Sequence, residues 1–365
     1  MPLLYLPILK WKLGEQSAVK PLSDAQKQVT FPIAELQERP YDWEKAKHKK
    51  TWDKHIEDVA KATAKHWGTK YEIAFDQPLG SGDALTSTSG TAWEHLFTQL
   101  WAHGINAVPV VSNTAALVEV AALLKVSVTH GRTRWVMRFV VAPDAPTPSA
   151  ADVAKWFKGM LAALKTTPAL VDAVLDVGHV GQWDVKAQAA GVAQCLAAVA
   201  ALGPWRNIVL ASGAFPENLA GIPKGLIQIE RKDWALYLEV RKAALLKSVK
   251  LRYGDYAVSH IAAFDKDPRM LKMSANLRYA HWTLWHVIKG TSVRDYGFAQ
   301  YHDICRVLTS LPIFMGASFS QGDTNYDAVA NDPLVKPGNA TIWRKDATNH
   351  HIHVVLSQLA SLSGP

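Results

Sequence analysis

The chain has 365 residues, 48% hydrophobic and 20% charged, which provides for a substantial buried core and excludes disorder as the main state. Its formal charge of +8 admits an anionic partner. The lysine-rich stretch 44–70, however, alternates lysines with acids as a solvated helix face does, and no arginine cluster with interleaved aromatics supports nucleic acid as the favoured partner.

Residues 1–11 open with a strand, LLYLPILKW, in which Pro7 suits an exposed or terminal position because it has no N–H for a ladder. Lys10 and Lys12 follow this apolar run instead of preceding it, unlike a signal peptide, and no stretch reaches the ~18 apolar residues of a membrane helix. Cytoplasmic residence is expected, with Cys195 and Cys305 as buried thiols. Residues 15–28 are helix-like, and 29–36 form a second strand with Glu35 near its end. The charged stretch 44–70 follows as a helix, then a third strand, 71–75, ends at Asp76 before Pro78, Gly80 and Gly82. Residues 81–90 read as loop. In 91–102, Trp93, Leu96, Phe97, Leu100 and Trp101 recur at the spacing of a buried helical stripe.

Further strands are expected at 106–111, ending at Ser112 and Asn113, at 134–141 with Arg138, and at 170–180 with Asp176 and His179. Two more fall at 207–212, ending at Ser212, and at 251–260 with Asp255. Helices lie between them at 115–126, at 150–164 capped by Ser149, at 192–202, and at 229–246, which is strongly amphipathic.

Eight strands separated by helices are what a (β/α)8 TIM-like barrel requires, because parallel neighbours need a helical crossover. An open doubly wound parallel sheet is the alternative, disfavoured because no G-x-G-x-x-G turn follows the first strand. Residues 1–265 supply the barrel strands and helices; 266–365 complete and cap it within the same domain. This elaborated C-terminal region holds a strand at 277–288, a helix at 298–311, a polar loop at 319–339 and a closing helix at 352–362.

The succession YLPILKWKLGE, PIAE, VLDVG, NIVLASGAFP, IERKDW, YGDY, a Lys289–Gly290 pair, FSQGD and WRKDATNHHI resembles the beta-protein family, named after a T-even bacteriophage gene product. The resemblance runs from the first strand to the last helix and is strongest at PILK, SGAFP, YGDY and WR followed by TNHH. It implies a phage-related or mobile-element setting and phage–host conflict, and it carries no assigned activity or catalytic residue. The chain departs from the family pattern PILKGK, since Trp11 stands in the small-residue place.

Ligands of parallel barrels bind at the carboxyl ends of the strands, where loops vary over a rigid sheet. Those ends carry Lys10, Glu35, Asp76, Asn113, Arg138, Asp176, Ser212 and Asp255. Lys10, Glu35, Asp76 and Asp176 are the catalytic candidates, and the three carboxylates suit a divalent metal unless they pair with Lys10 and Arg138. Asp176 and His179 meet only if the chain turns at Gly178. Ser212 lacks the nucleophile-elbow pattern. In the tail, Asn349, His350 and His351 are dense polar candidates for ligand contact, with His351 and His353 on one face of a strand, although their spacing matches no standard zinc site. Arg231 and Arg344 are the arginines best suited to grip an anion through a planar fork.

Two functions fit these residues. One is an enzyme acting on a phosphate- or carboxylate-bearing small molecule or nucleotide at the barrel mouth. The other is a non-catalytic scaffold that binds a protein partner in phage–host conflict through its C-terminal third. A salt-bridged mouth would favour the second.

Overall fold

The computed structural model describes residues 3–76, 90–142, 145–262 and 273–362. Its strands are β1 (Tyr5–Leu9), β2 (Ile33–Glu35), β3 (Tyr41–Asp42), β4 (Lys47–His48), β5 (Ile73–Asp76), β6 (Ala107–Ser112), β7 (Trp135–Val140), β8 (Val171–His179), β9 (Asn207–Gly213), β10 (Gly225–Glu230), β11 (Leu251–Asp255), β12 (Ser274–His281) and β13 (Leu284–Ser292). Eight of them close a parallel barrel in the order β1-β11-β9-β8-β7-β6-β5-β2. The expected (β/α)8 architecture is therefore present, and the open sheet is not. The expected loop at 81–90 falls outside the described residues except for Gly90.

Side-chain alternation with period two divides the barrel strands into an inner and an outer set. Leu6, Ile8, Ile33, Ala74, Val108, Val110, Val136, Val174, Val209 and Ala211 fill the interior as one apolar cluster. Their neighbours in sequence, such as Leu9, Phe75, Val111, Met137, Leu175 and Leu210, pack outward beneath the helices. The floor of the barrel is closed by charge: Asp172 accepts from Arg134 Nη2 at 3.0 Å, Arg206 Nη1 at 2.7 Å and Asn207 Nδ2 at 2.6 Å. Burial nonetheless pushes the Asp172 carboxyl up to about 6.

Several expected elements take a different form. Pro7 is buried within β1, at the point where pairing passes from β11 (Tyr5 to Pro7) to β2 (Ile8 and Leu9). Residues 15–28 divide into two helices, Leu13–Val19 and Asp24–Gln28, on either side of Pro21. The charged stretch 44–70 opens within the β3–β4 hairpin, and its helix runs only from Trp52 to His66. Residues 229–246 start as the end of β10, with Lys232–Arg241 as the helix. The long strand at 277–288 is a hairpin of β12 and β13, turned at Trp282 with φ 46°.

The polar loop expected at 319–339 holds the helix Gln321–Asn331. Ser320 caps it, and Asp323, Tyr326, Val329 and Ala330 form its buried side. Its polar and glycine content hid a narrow apolar face. Residues 349–353 are helical too, so His351 and His353 do not share a strand face.

The three-stranded sheet β10-β13-β12, together with the helices Tyr301–Ser310 and Gln321–Asn331, builds a cap with its own core around Leu277, Tyr279, Tyr301, Cys305, Leu308, Tyr326 and Trp343. The last helix, Ala340–Leu362, packs on β1, β12 and the first helix, so it is both the eighth barrel helix and the strut beneath the cap.

Close helix approach fixes that strut. A Cβ at Gly322 would stand 3.0 Å from the backbone carbon of Asp346 and closer still to its oxygen. Gly322→Ala is expected to lower stability by about 1–3 kcal/mol through overpacking. Gly159→Ala, at an open and exposed helix position, is expected to raise it by up to about 1 kcal/mol. Urea unfolding of both variants measures the contrast.

Candidate functional site at the barrel mouth

Strand alternation delivers Glu35, Asp76, Arg138 and Asp176 to the carboxyl end of the barrel interior, and all four are buried. Arg138 lies among the carboxylates. Its Nη1 donates to Glu35 Oε1 at 3.0 Å and Asp76 Oδ2 at 2.6 Å; Nε and Nη2 donate to Asp176 Oδ2 at 3.0 and 2.7 Å. Tyr256 adds a hydroxyl 2.6 Å from Asp176 Oδ2 and 2.5 Å from Arg138 Nη2. The other Asp176 oxygen takes the Gly178 N–H at 3.0 Å. Gly178 adopts φ 70° at the bulge that ends β8, and the His179 ring beyond it stands 4.7 Å from that of His260.

Lys10 completes the network, 2.5 Å from Glu35 Oε2, and also donates to the Ile261 carbonyl. Burial by itself would raise the Glu35 carboxyl, but Lys10 and Arg138 outweigh it and hold the group below its ordinary range. Burial keeps the Tyr256 phenol protonated, as a donor to Asp176 requires. The carboxylates that suited a divalent cation thus surround a guanidinium. Among the described residues no group of three or more His, Cys, Asp or Glu is arranged to hold a metal.

Other candidates lie elsewhere. Ser212 and Asp255 sit at strand ends but on the outward phase of the alternation, with Leu210 and Tyr253. Asp255 accepts from Tyr5 at 2.5 Å, Tyr253 at 3.0 Å and His351 Nε2 at 2.7 Å. Burial opposes its ionisation, yet His351 and Arg231 hold it below the ordinary carboxylate range. Arg231 is buried behind the barrel wall, donating to the Trp282 carbonyl at 2.7 Å and Gln358 Oε1 at 2.8 Å. Asn113 bonds both ways with the Val140 backbone. Asn349 ties Gly322 N to the Ala18 carbonyl across the last helix. His350 bridges Asp323 Oδ2 at 2.7 Å and the Ala280 carbonyl at 2.8 Å. The TNHH segment therefore joins helix, cap and barrel instead of reaching over the mouth.

Arg344 does face open space. A cavity of about 600 Å³ separates the barrel mouth from the cap; its lining includes Lys10, Arg278, Lys289, Arg344, Asn276 and Tyr301. Lys10 is the one member of the mouth network in that lining. Arg278, Lys289 and Tyr256 are not among the site candidates that the sequence offers, although Lys289 and Tyr256 lie in its family-like motifs. Tyr256 follows from YGDY once Gly254 is placed inward, whereas Arg278 lies in a strand whose partner surface only the cap defines.

Arg138→Met tests the mouth. Because Glu35 titrates below its unfolded value of 4.5 in the folded protein, its ion pairs stabilise above that pH and are lost as pH falls. Without the guanidinium, burial raises the carboxyls and the sign reverses. The variant is expected to be less stable than the parent by about 3–5 kcal/mol near pH ~8, with the gap narrowing toward pH ~5. Chemical denaturation at the two pH values measures it.

The family profile described as Beta protein matches residues 5–357. No curated protein matches the chain. Among solved structures, type I 3-dehydroquinate dehydratase from Clostridium difficile aligns at 9% identity over 71% of this chain and 87% of that one, with a TM-score of 0.41. Triosephosphate isomerase from Bartonella henselae aligns at 10% identity over 70% and 92%, with a TM-score of 0.35. The arginine decarboxylase of Paramecium bursaria Chlorella virus aligns at 8% identity over 70% and 58%, with a TM-score of 0.36.

Proposed function

The chain belongs to the Beta protein family, and from that premise we propose that this phage-associated barrel binds a small anionic molecule in the cavity between its mouth and its cap. The observation that carries the reading is the lining. Lys10, Lys12, Arg278, Lys289 and Arg344 are set against two acids, Glu15 and Glu217, in a space of ligand size. Lys289 is held by the Leu219 carbonyl at 2.7 Å and the Ile222 carbonyl at 2.5 Å, so its charge is positioned without being neutralised by either partner. Fixed cations facing a partly enclosed space attract phosphate or carboxylate.

Any chemistry falls to Lys10 with Glu35, the pair in which the buried network reaches the cavity. A proton passing between them would alter the charge that a bound molecule meets. A second reading, a non-catalytic protein acting in phage–host conflict through its C-terminal third, is favoured by the mouth itself. Glu35, Asp76 and Asp176 each bond to Arg138, as a structural plug would require.

Thermal unfolding against phosphorylated and carboxylated metabolites separates the readings. A ligand at about 100 times its dissociation constant adds roughly 2.7 kcal/mol to native stability. The rise in Tm is expected to persist in Lys61→Gln/Lys65→Gln, an exposed change that removes the same charge, and to vanish in the double variant Arg278→Gln/Arg344→Gln. A folded parent that responds to none of the compounds would leave the partner-binding scaffold. Turnover assays of Lys10→Met with any compound that binds then decide whether the barrel is an enzyme.

A further inference from the structure

The two arginines of the cavity are held in an unusual way. Arg278 Nη1 donates to the Val258 carbonyl at 2.6 Å, and Arg344 Nη1 donates to the same oxygen at 2.9 Å. One oxygen accepting from both sets the guanidinium groups side by side. Arg278 is steadied by Asn276 Oδ1 at 3.2 Å and by the Phe215 ring, 4.3 Å from its Cζ; Arg344 is steadied by Ser259 Oγ at 3.0 Å.

Among the described residues neither has a carboxylate within ion-pair distance. Glu15 is near enough to attract Arg344, but its oxygens take Ser259 Oγ at 3.1 Å and Lys12 N at 3.4 Å. Burial, and then Arg344 itself, lower the proton affinity of Arg278. Two adjacent like charges drawn out of water are unfavourable unless an anion joins them. Both side chains line the cavity, with nitrogens that make no hydrogen bond among the described residues: Nη2 of Arg278, and Nε and Nη2 of Arg344.

We infer that Arg278 and Arg344 form a clamp for a phosphate monoester, and that the ligand of this cavity is a phosphorylated small molecule. The inference rests on the anion-binding reading above and narrows it. A carboxylate brings one charge and two coplanar oxygens, enough for one guanidinium fork. A phosphate monoester brings three terminal oxygens and a charge of about −1.5 to −2 near neutral pH, which matches one fork, Nε and Nη2 of Arg344, together with the Nη2 donor of Arg278 beside it. The cavity, at about 600 Å³, leaves room beyond the phosphate for the remainder of a metabolite-sized molecule.

Calorimetric titration with phenyl phosphate and with benzoate, which share a ring and differ in the anion, tests the clamp in the full chain. Phenyl phosphate is expected to bind about tenfold or more tightly than benzoate, with affinity falling as pH drops through the second phosphate ionisation near ~6. Arg278→Lys and Arg344→Lys keep the charge and lose these fixed donors, so each is expected to weaken phenyl phosphate by about tenfold, with Arg278→Lys leaving benzoate within about threefold. Equal affinity for the two compounds would overturn the clamp while the anion cavity stands. So would phenyl phosphate binding that survives both lysine variants but is lost in Lys289→Gln. A folded protein that binds neither compound would overturn both readings. The comparison of the two ligands on the unaltered chain holds even if a variant fails to fold.

Discussion

Everything at the carboxyl end of this barrel depends on one side chain, Arg138. Its guanidinium reaches Glu35 on β2, Asp76 on β5 and Asp176 on β8, and its own strand is β7, so four of the eight strands meet at one cation. Three carboxylates brought together in an apolar tube would repel one another and lose their hydration; the arginine makes the arrangement possible by offering a donor to each. Such a network is costly to assemble and more costly to break, because removing the cation leaves the acids buried and unpaired. It therefore fixes the shape of the mouth on which the cap rests.

The cap is joined to the barrel by polar groups that resemble catalytic residues when read as a string. His350 meets acceptors at both ring nitrogens, Asp323 and the Ala280 carbonyl, so both nitrogens must donate unless the carboxyl carries the shared proton. Asp323 also accepts from Tyr279 at 2.8 Å, whose ring stacks on His350 at 3.8 Å. The next residue, His351, reaches Asp255, which Tyr5 also holds. Consecutive histidines on a helix point about 100° apart, so one faces the cap and the other the outer wall of the barrel. The pair locks two layers to a single helix.

The barrel was legible because its strands announce themselves twice, by short β-branched runs and by the helices between them. Glu35, Asp76, Arg138 and Asp176 were legible for the same reason: each lies at a strand end on the inward phase. Ser212 and Asp255 lie at strand ends on the outward phase, and a one-residue difference moves a side chain from the ligand side to the helix side. The phase of a continuously apolar strand cannot be read from hydrophobicity, since both faces are buried. Trp11 gives the opposite case. It adopts φ 50°, the left-handed backbone that favours glycine, which accounts for a small residue at this place in the family pattern. The tryptophan is buried and bonds Thr63 Oγ1 at 2.9 Å. The cap was least legible, because β10 comes from between two barrel strands and pairs with β13 nearly sixty residues later.

The charge of the two layers has a consequence for orientation. At the mouth three carboxylates face two cations, and both cations are engaged, Arg138 with all three acids and Lys10 with Glu35. Across the cavity Arg278, Lys289 and Arg344 are held by carbonyls, a hydroxyl and an amide, none of which cancels their charge. The cations that line the cavity thus outnumber its two acids, Glu15 and Glu217, and low-dielectric walls strengthen the positive field they set up. On the proposed reading the anionic end of the ligand is drawn toward the cap, where Arg278 and Arg344 share the Val258 carbonyl. Its other end then faces Lys10. A clamp at the cap would in this way leave the remainder of the ligand toward the lysine through which the buried network meets the cavity.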